Sequence, residues 1–256
     1  MVEIAAATDR VEAFLADRLA ASGAEGYVLG VSGGLDSAVA ATLAVEAVGA
    51  GAVTAWVMPD APSDPANMRD ARALTDALGI ERRDVDIAPV TDAVVDRAPV
   101  DAGPTAVGNV RARLRMVFEY LDANAADRLV LGATTRSEWL LGYFTKHGDG
   151  AVDLRPLVEL YKTEVRDVAR HLGLDERFLE KAPTAGLEFD QTDEADLGAP
   201  YADVDPLLRA LVDEDRPGAV AAERADLPLE TAERLAAMVT ASGHKREPAP
   251  TPGLRE

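Results

Sequence analysis

Ser32-Gly33-Gly34-Leu35-Asp36-Ser37 is the stretch of this 256-residue chain whose residue types and spacing point most directly to chemistry. Two adjacent glycines let a backbone turn tightly and approach an anion closely. The run follows a short apolar stretch, Gly26 to Val31, and precedes an apolar helical run from Ala38 to Val48. The turn therefore opens onto a helix N-terminus, with free N–H groups and a positive end. Ser32 and Ser37 add hydroxyl donors. Asp36 is out of place beside phosphate unless a cation lies between them, and a magnesium ion bound through a carboxylate and phosphate oxygens meets that need. The Gly-Lys-Ser/Thr ending of a Walker A loop is missing, so no lysine within the loop reaches a terminal phosphate. A plain glycine turn with a capping serine is the competing reading, and it leaves Asp36 unexplained.

The elements that must position this loop follow from periodicity. Residues 8–21 place Val11, Phe14, Leu15 and Leu19 at helical spacing. Gly26 to Val31 and Ala52 to Met58 read as buried strands, Val85 to Ile87 as a third and Leu129 to Gly132 as a fourth. Helices are expected over 38–48, 66–78, 105–124, 161–172, 203–212 and 228–241, with another starting near Glu138. Such alternation implies βαβ units, so the expected fold is α/β, a parallel sheet flanked by helices. Residues 182–200, rich in Pro, Gly, Asp and Thr, are expected to form a mobile loop. The chain from His244 on carries three prolines and is expected to be extended. No internal repeat or linker interrupts the rest, so residues 1–246 are expected to form one domain and 247–256 a tail.

Composition narrows the function classes. With 45 acidic and 26 basic residues the formal net charge is −19, which repels nucleic acid and anionic membranes unless a local patch reverses the field. Cysteine is absent, which excludes disulfides, zinc-thiolate sites and a catalytic thiol in this chain. No run of eighteen apolar residues and no signal-like start occur, so a cytoplasmic protein is expected. There are 22 arginines but four lysines, Lys146, Lys162, Lys181 and Lys245.

The SGGxDS loop resembles the pyrophosphate loop of the N-type ATP pyrophosphatases, a superfamily with an adenine-nucleotide alpha-hydrolase-like, Rossmann-like fold that cleaves ATP between the α and β phosphates. The loop alone does not choose among its members, which include NAD, GMP, asparagine and argininosuccinate synthetases and several tRNA-modifying enzymes. Further stretches do. Gly108 to Met116 (GNVRARLRM), Gly132 to Glu138 (GATTRSE), Gly142 to Pro156 (GYFTKHGDGAVDLRP), Pro183 to Leu187, Gln191 to Glu194 and His244-Lys245-Arg246 together resemble the NAD synthetases. The order and spacing match from about residue 30 to residue 246.

The resemblance implies a homodimer that amidates deamido-NAD with ATP, magnesium and ammonia. NAD, AMP and pyrophosphate would form through an acyl-adenylate. Carried over, it implies that Gly30, Val31, Ser32, Gly33, Gly34, Leu35, Asp36 and Ser37 hold ATP together with Lys162 and Thr184. Asp36 and Glu138 would be magnesium ligands. Arg113, Lys146, Asp153, His244 and Lys245 would contact deamido-NAD, and Asp36, Lys162 and Asp153 would be the catalytic set. Ala133 stands where many members have a threonine, Gly186 where aspartate is frequent, and Arg111 where lysine is common.

Lys146 and Lys245 fall inside these motifs and Lys162 lies between two of them, and lysine, a compact mobile point charge, suits phosphate. Lys181 reads as a solvated surface lysine, and His147 and His171 as structural. A glutamine-using enzyme would need an amidase domain with its own nucleophile, commonly cysteine. About 30 residues precede the loop and cysteine is absent, so free ammonia is expected unless a separate subunit supplies it.

The acidic, lysine-poor composition leads to one test. A surface of this kind stays hydrated in a salt-rich cytoplasm while counterions screen its self-repulsion. We expect thermal stability and activity to rise between dilute buffer and molar KCl. Full folding and activity in dilute buffer, with nothing gained on adding salt, would contradict this.

Overall fold

The computed structural model describes residues 2–253. Helix α1 (Ile4–Ser22) leads into strand β1 (Gly26–Gly30), helix α2 (Leu35–Val48), strand β2 (Val53–Val57), helix α3 (Pro65–Leu78) and strand β3 (Glu81–Asp84). Two helices, α4 (Ala88–Arg97) and α5 (Pro104–Ala126), then precede strand β4 (Arg128–Val130). The rest is helical: α6 (Arg136–Leu141), α7 (Lys162–His171), α8 (Glu176–Leu179), α9 (Asp193–Leu197), α10 (Tyr201–Leu208), α11 (Gly218–Arg224), α12 (Leu229–Ala241) and α13 (Gly243–Arg246).

The four strands form one parallel sheet in the order β3-β2-β1-β4. The chain moves outward from β1 through β2 to β3, then crosses over to place β4 on the other side of β1. In open α/β sheets a ligand crevice forms where the strand order reverses, beyond the C-terminal strand ends. Here that crevice lies between β1 and β4. The sheet is short, so the fold places β1 between two partners and buries Tyr27, Val28 and Leu29 on both faces. Continuous apolar runs, rather than alternation, are what a doubly covered parallel strand requires.

The main core joins β1 and β2 to α1, α2, α7 and α8 through residues such as Leu15, Leu29, Leu43, Val57, Leu157, Val165 and Phe178. A smaller cluster, Val28, Ala123 and Val130 with Trp56 and Tyr120 packed on it, fixes α5 to the opposite face. A third cluster gathers α6, α10, α11 and α12 around Leu197, Val204, Leu207, Leu208 and Leu235. Among the described residues no helix is long and apolar enough to cross a membrane.

The expected parallel α/β fold is what the chain adopts, with four departures. The third strand is Glu81–Asp84, not Val85 to Ile87. It is an edge strand whose charges pair among themselves and with α3. Arg82 reaches Asp76 at 2.5 Å and Asp84 at 2.8 Å, and Arg72 reaches Asp84 at 2.7 Å. Edge strands carry charge without cost because one side faces water. Helices α4, α8 and α11 are additional to those expected. The 182–200 segment is not featureless, since α9 occupies its second half behind a Thr192 cap whose side chain accepts from Ala195 N at 3.2 Å. His244 to Arg246 belong to α13 rather than to an extended tail, which has no regular structure from Glu247 to Gly253. Residues 254–256 of the expected tail lie outside the described residues.

Candidate active site

The glycine loop leaves the C-terminal end of β1 and enters α2, as expected. Gly33 has φ +79°, in the left-handed region, and a Cβ there would run into the Asn67 carbonyl oxygen of α3. Only glycine satisfies both demands. Gly34 caps α2 without a side-chain bond, so the first N–H groups of that helix are left for other partners. Ser37 ties the turn together. Its hydroxyl accepts from Ser32 N at 3.2 Å, lies 3.1 Å from Ser32 Oγ and donates to Gly34 O at 3.1 Å.

Asp36, in the first turn of α2, meets Lys162 and Glu138 at the mouth of this loop. Lys162 Nζ donates to Asp36 Oδ2 at 2.5 Å and to Glu138 Oε1 at 2.8 Å, and lies 5.1 Å from the centroid of the Tyr201 ring. The lysine side chain is 6% exposed. Burial alone would lower its pKa, but the carboxylates of Asp36, Glu138 and Asp193 outweigh burial and hold the ammonium protonated, above the ordinary lysine range. Burial pushes the Asp36 carboxyl up to about 7 against the pull of Lys162, with Glu138 adding to the rise. The site carries more negative charge than its one lysine neutralises.

Each of the three side chains is aimed by its own local structure. Glu138 sits at the third position of α6 in a capping box, with Oε2 accepting from Thr135 N at 2.8 Å and Thr135 Oγ1 at 2.9 Å. That leaves Oε1 facing Lys162. Lys162 is the first residue of α7, and its N–H donates to Ser137 Oγ at 2.9 Å. Ser137 donates to Asp205 Oδ1 at 2.5 Å, and Thr163 N donates to Asp205 Oδ2 at 2.8 Å. Asp205 on α10 thus holds the start of α7 against α6.

The residues expected to touch an acceptor form a second group. Arg113 on α5 donates to Lys146 O at 3.1 Å, and Lys146 Nζ donates to His244 O at 2.5 Å. Lys245 donates to Gly142 O at 2.7 Å and Phe144 O at 2.9 Å, closing the C-terminal end of α6. Two of its three ammonium donors are thereby used, leaving one. Motifs about 100 residues apart are therefore in contact.

Asp153 stands elsewhere. Its carboxylate accepts from Val130 N at 2.8 Å and Tyr120 OH at 3.3 Å beside β4, and it has no bond to Asp36, Lys162 or Glu138. It lines a cavity of about 440 Å³ with Phe14, Arg18, Trp139 and Arg155. Thr184 is exposed, its hydroxyl accepting from Gly186 N at 3.0 Å. Gly186 has φ +62°, which glycine adopts more readily than the aspartate frequent there in the resembling family.

Lys181 and Asp193 are among the residues that escape sequence reasoning. Lys181 is not a solvated lysine, since it donates to Gly33 O at 2.7 Å and pairs with Asp70 at 2.5 Å. Asp193 is 2% exposed, accepts from Tyr201 OH at 2.9 Å and leaves Oδ1 without a partner. It lies in one of the matching motifs, but no local signal separates a buried aspartate from a helix-capping one.

The family model described as NAD synthase matches residues 7–249. The chain belongs to the NAD synthase family. It is 44% identical over 251 residues to the NH3-dependent NAD(+) synthetase of Halobacterium salinarum, covering 98% of this chain and 94% of the relative. Among solved structures it resembles an NMN synthetase from Francisella tularensis, with TM-score 0.88, 35% identity, and 99% and 100% of the two chains covered. It also resembles the NH3-dependent NAD synthetase of Campylobacter jejuni in complex with the nitrate ion, with TM-score 0.83, 29% identity, and 98% and 99% covered.

In this family member the 182–200 segment is docked onto α5. Arg111 donates to Leu187 O at 2.8 Å and lies 3.4 Å from Asp60, while Gln191 Oε1 accepts from Leu187 N at 3.0 Å and Glu188 N at 3.3 Å. Leu187 packs against Gly108, where a Cβ would sit 3.1 Å from the Leu187 Cβ. Replacing Arg111 by alanine should release this segment, with amide exchange at Leu187 and Glu188 faster by about tenfold or more, the scale of one charged hydrogen bond. Unchanged protection in hydrogen-exchange mass spectrometry would contradict the docking role.

Proposed function

We propose that this protein amidates the nicotinate carboxylate of deamido-NAD with ATP and free ammonia, giving NAD, AMP and pyrophosphate. The observation that carries the reading is the convergence of Lys162, Asp36 and Glu138 at the mouth of a glycine loop that opens onto a helix N-terminus. Family membership and the NH3-dependent relatives support the same reaction.

The chemistry explains why ATP is consumed. A carboxylate is a poor electrophile, because its charge repels nucleophiles and oxide is a poor leaving group. Attack of the carboxylate oxygen on the α-phosphorus of ATP forms a new O–P bond and breaks the bond to the β,γ-pyrophosphate. Ammonia then forms a C–N bond to the acyl carbon, the C–O bond to AMP breaks, and the ammonia-derived nitrogen sheds its extra proton. The Gly33 to Ser37 amides and the free end of α2 would hold the departing pyrophosphate. Lys162 would turn its ammonium from the carboxylates to the phosphate oxygens, where charge builds in the transition state. Positioning and electrostatics suffice, with no covalent bond to the protein.

Asp36 and Glu138 fit a divalent cation. Asp36 Oδ1 is buried without a partner, and the site holds surplus negative charge. No cluster of three metal-ligating side chains occurs among the described residues, as suits magnesium bound by one or two carboxylates with substrate phosphates completing its shell. When bound, magnesium would neutralise charge on the phosphates.

Arg113, Lys146, His244 and Lys245 would contact the dinucleotide, and Asp153 would help to orient it. Val117 and Leu121 are 52% and 62% exposed on one side of α5, and this apolar stripe suits a homodimer interface. Cysteine is absent from the chain, which favours ammonia over glutamine as the nitrogen donor.

The decisive assay incubates the pure protein with ATP, magnesium, ammonium and deamido-NAD. NAD, AMP and pyrophosphate should appear in equal amounts, and glutamine alone should give no NAD. Because one structural relative is an NMN synthetase, the mononucleotide acceptor is run in parallel and should turn over more slowly. Release of ADP and phosphate, or faster turnover of the mononucleotide, would contradict the proposal.

A further inference from the structure

The peptide joining Gly33 to Gly34 has no side chain on either flank, so it rotates with little steric resistance. Its orientation decides what the loop does. In a trans peptide the C=O and N–H point in opposite directions. With the N–H turned inward the loop attracts an anion, and with the C=O turned inward it repels one.

The structure holds this peptide in one of the two orientations. Lys181, just beyond α8, donates from Nζ to Gly33 O at 2.7 Å. The Gly34 N–H points the other way, to Ser32 Oγ at 3.3 Å within the turn. Lys181 is itself anchored. It pairs with Asp70 of α3 at 2.5 Å, and Nζ lies 5.3 Å from the ring centroid of the buried Phe178. Asp70 is also 3.4 Å from Arg177. Two of the three Lys181 ammonium donors are thus committed to the loop carbonyl and to Asp70.

We propose that Lys181 is a positioning residue that holds the Gly33–Gly34 peptide with its N–H toward the phosphates and its carbonyl away from them. The inference rests on the reading of residues 30–37 as the ATP phosphate loop. It also joins two parts of the site, because Lys181 directly precedes the 182–200 segment that carries Thr184. A partly exposed ion pair contributes little to folding, so the lysine's effect should be on binding more than on stability.

The test measures MgATP affinity by titration calorimetry and melting temperature on wild type, Lys181→Met, Lys181→Arg and Ser37→Ala, with hydrogen exchange at Gly34. Lys181→Met should weaken MgATP about ten- to hundredfold, the range of one charged hydrogen bond. It should leave deamido-NAD affinity and the melting temperature near wild type and quicken exchange at Gly34. Lys181→Arg, which also donates to a carbonyl, should recover most of the affinity. Wild-type MgATP affinity in Lys181→Met, or equal weakening toward both substrates, would overturn the positioning role alone. Failure of the wild type to bind MgATP, or indifference to Ser37→Ala, would instead overturn the phosphate-loop reading and this inference with it.

Discussion

One buried ammonium holds the site together. Lys162 bridges Asp36 on α2 and Glu138 on α6 from the first position of α7, so three helices from separate parts of the chain meet at one charge. Taking an ion out of water costs several kcal/mol even after relaxation, and for this lysine two close carboxylates and the face of Tyr201 offset that cost. The compensation is incomplete. Burial raises Asp36 against the pull of Lys162, Glu138 and Asp193 add to the rise, and Asp36 Oδ1 has no partner. A site with surplus negative charge attracts a cation and repels a bare phosphate chain, so phosphates gain most when they arrive with the cation.

The fold serves this node. The strand order β3-β2-β1-β4 opens a crevice beside β1, and the glycine loop enters it from β1 while Glu138 arrives shortly after β4. Ser137 and Asp205 fix the start of α7, so the lysine that closes the site depends on the C-terminal helices. The same helices present α13, where Lys245 and Arg246 spend donors on carbonyls at the end of α6, including Gly142 and Leu140. Glu138 and Lys245 thus sit near opposite ends of one short helix, about 9 Å long at 1.5 Å per residue. Any displacement of α6 moves the Asp36–Lys162–Glu138 cluster and the contacts of Lys245 together.

Much of this is legible in the residues. The strand, glycine turn, acid and helix of residues 26–48 agree with one another at every level, and the buried strands announce themselves by apolar runs. What escapes sequence reasoning does so for identifiable reasons. Strand β3 is built from Glu81-Arg82-Arg83-Asp84, and its stability comes from pairing with β2 and from arginine bridges to α3, neither of which alters local hydropathy. The 182–200 segment has the composition of a free loop, yet Arg111, Gly108 and Gln191 hold it, and the first two lie some 80 residues away in sequence. Lys181 gives no signal because its partners, Gly33 O and Asp70, are contributed by the loop and by α3. Asp193 and Asp205 look like ordinary helix-terminal acids until the tertiary structure buries them.

The most direct measurement is steady-state pyrophosphate release by Lys162→Met, made on protein whose circular dichroism matches wild type. Loss of a donor that acts where charge develops should lower kcat by about 10²–10³-fold. Turnover within a few-fold of wild type would contradict this, and would mean that the ammonium only fills a hole between two acids and takes no part in the chemistry at the phosphates.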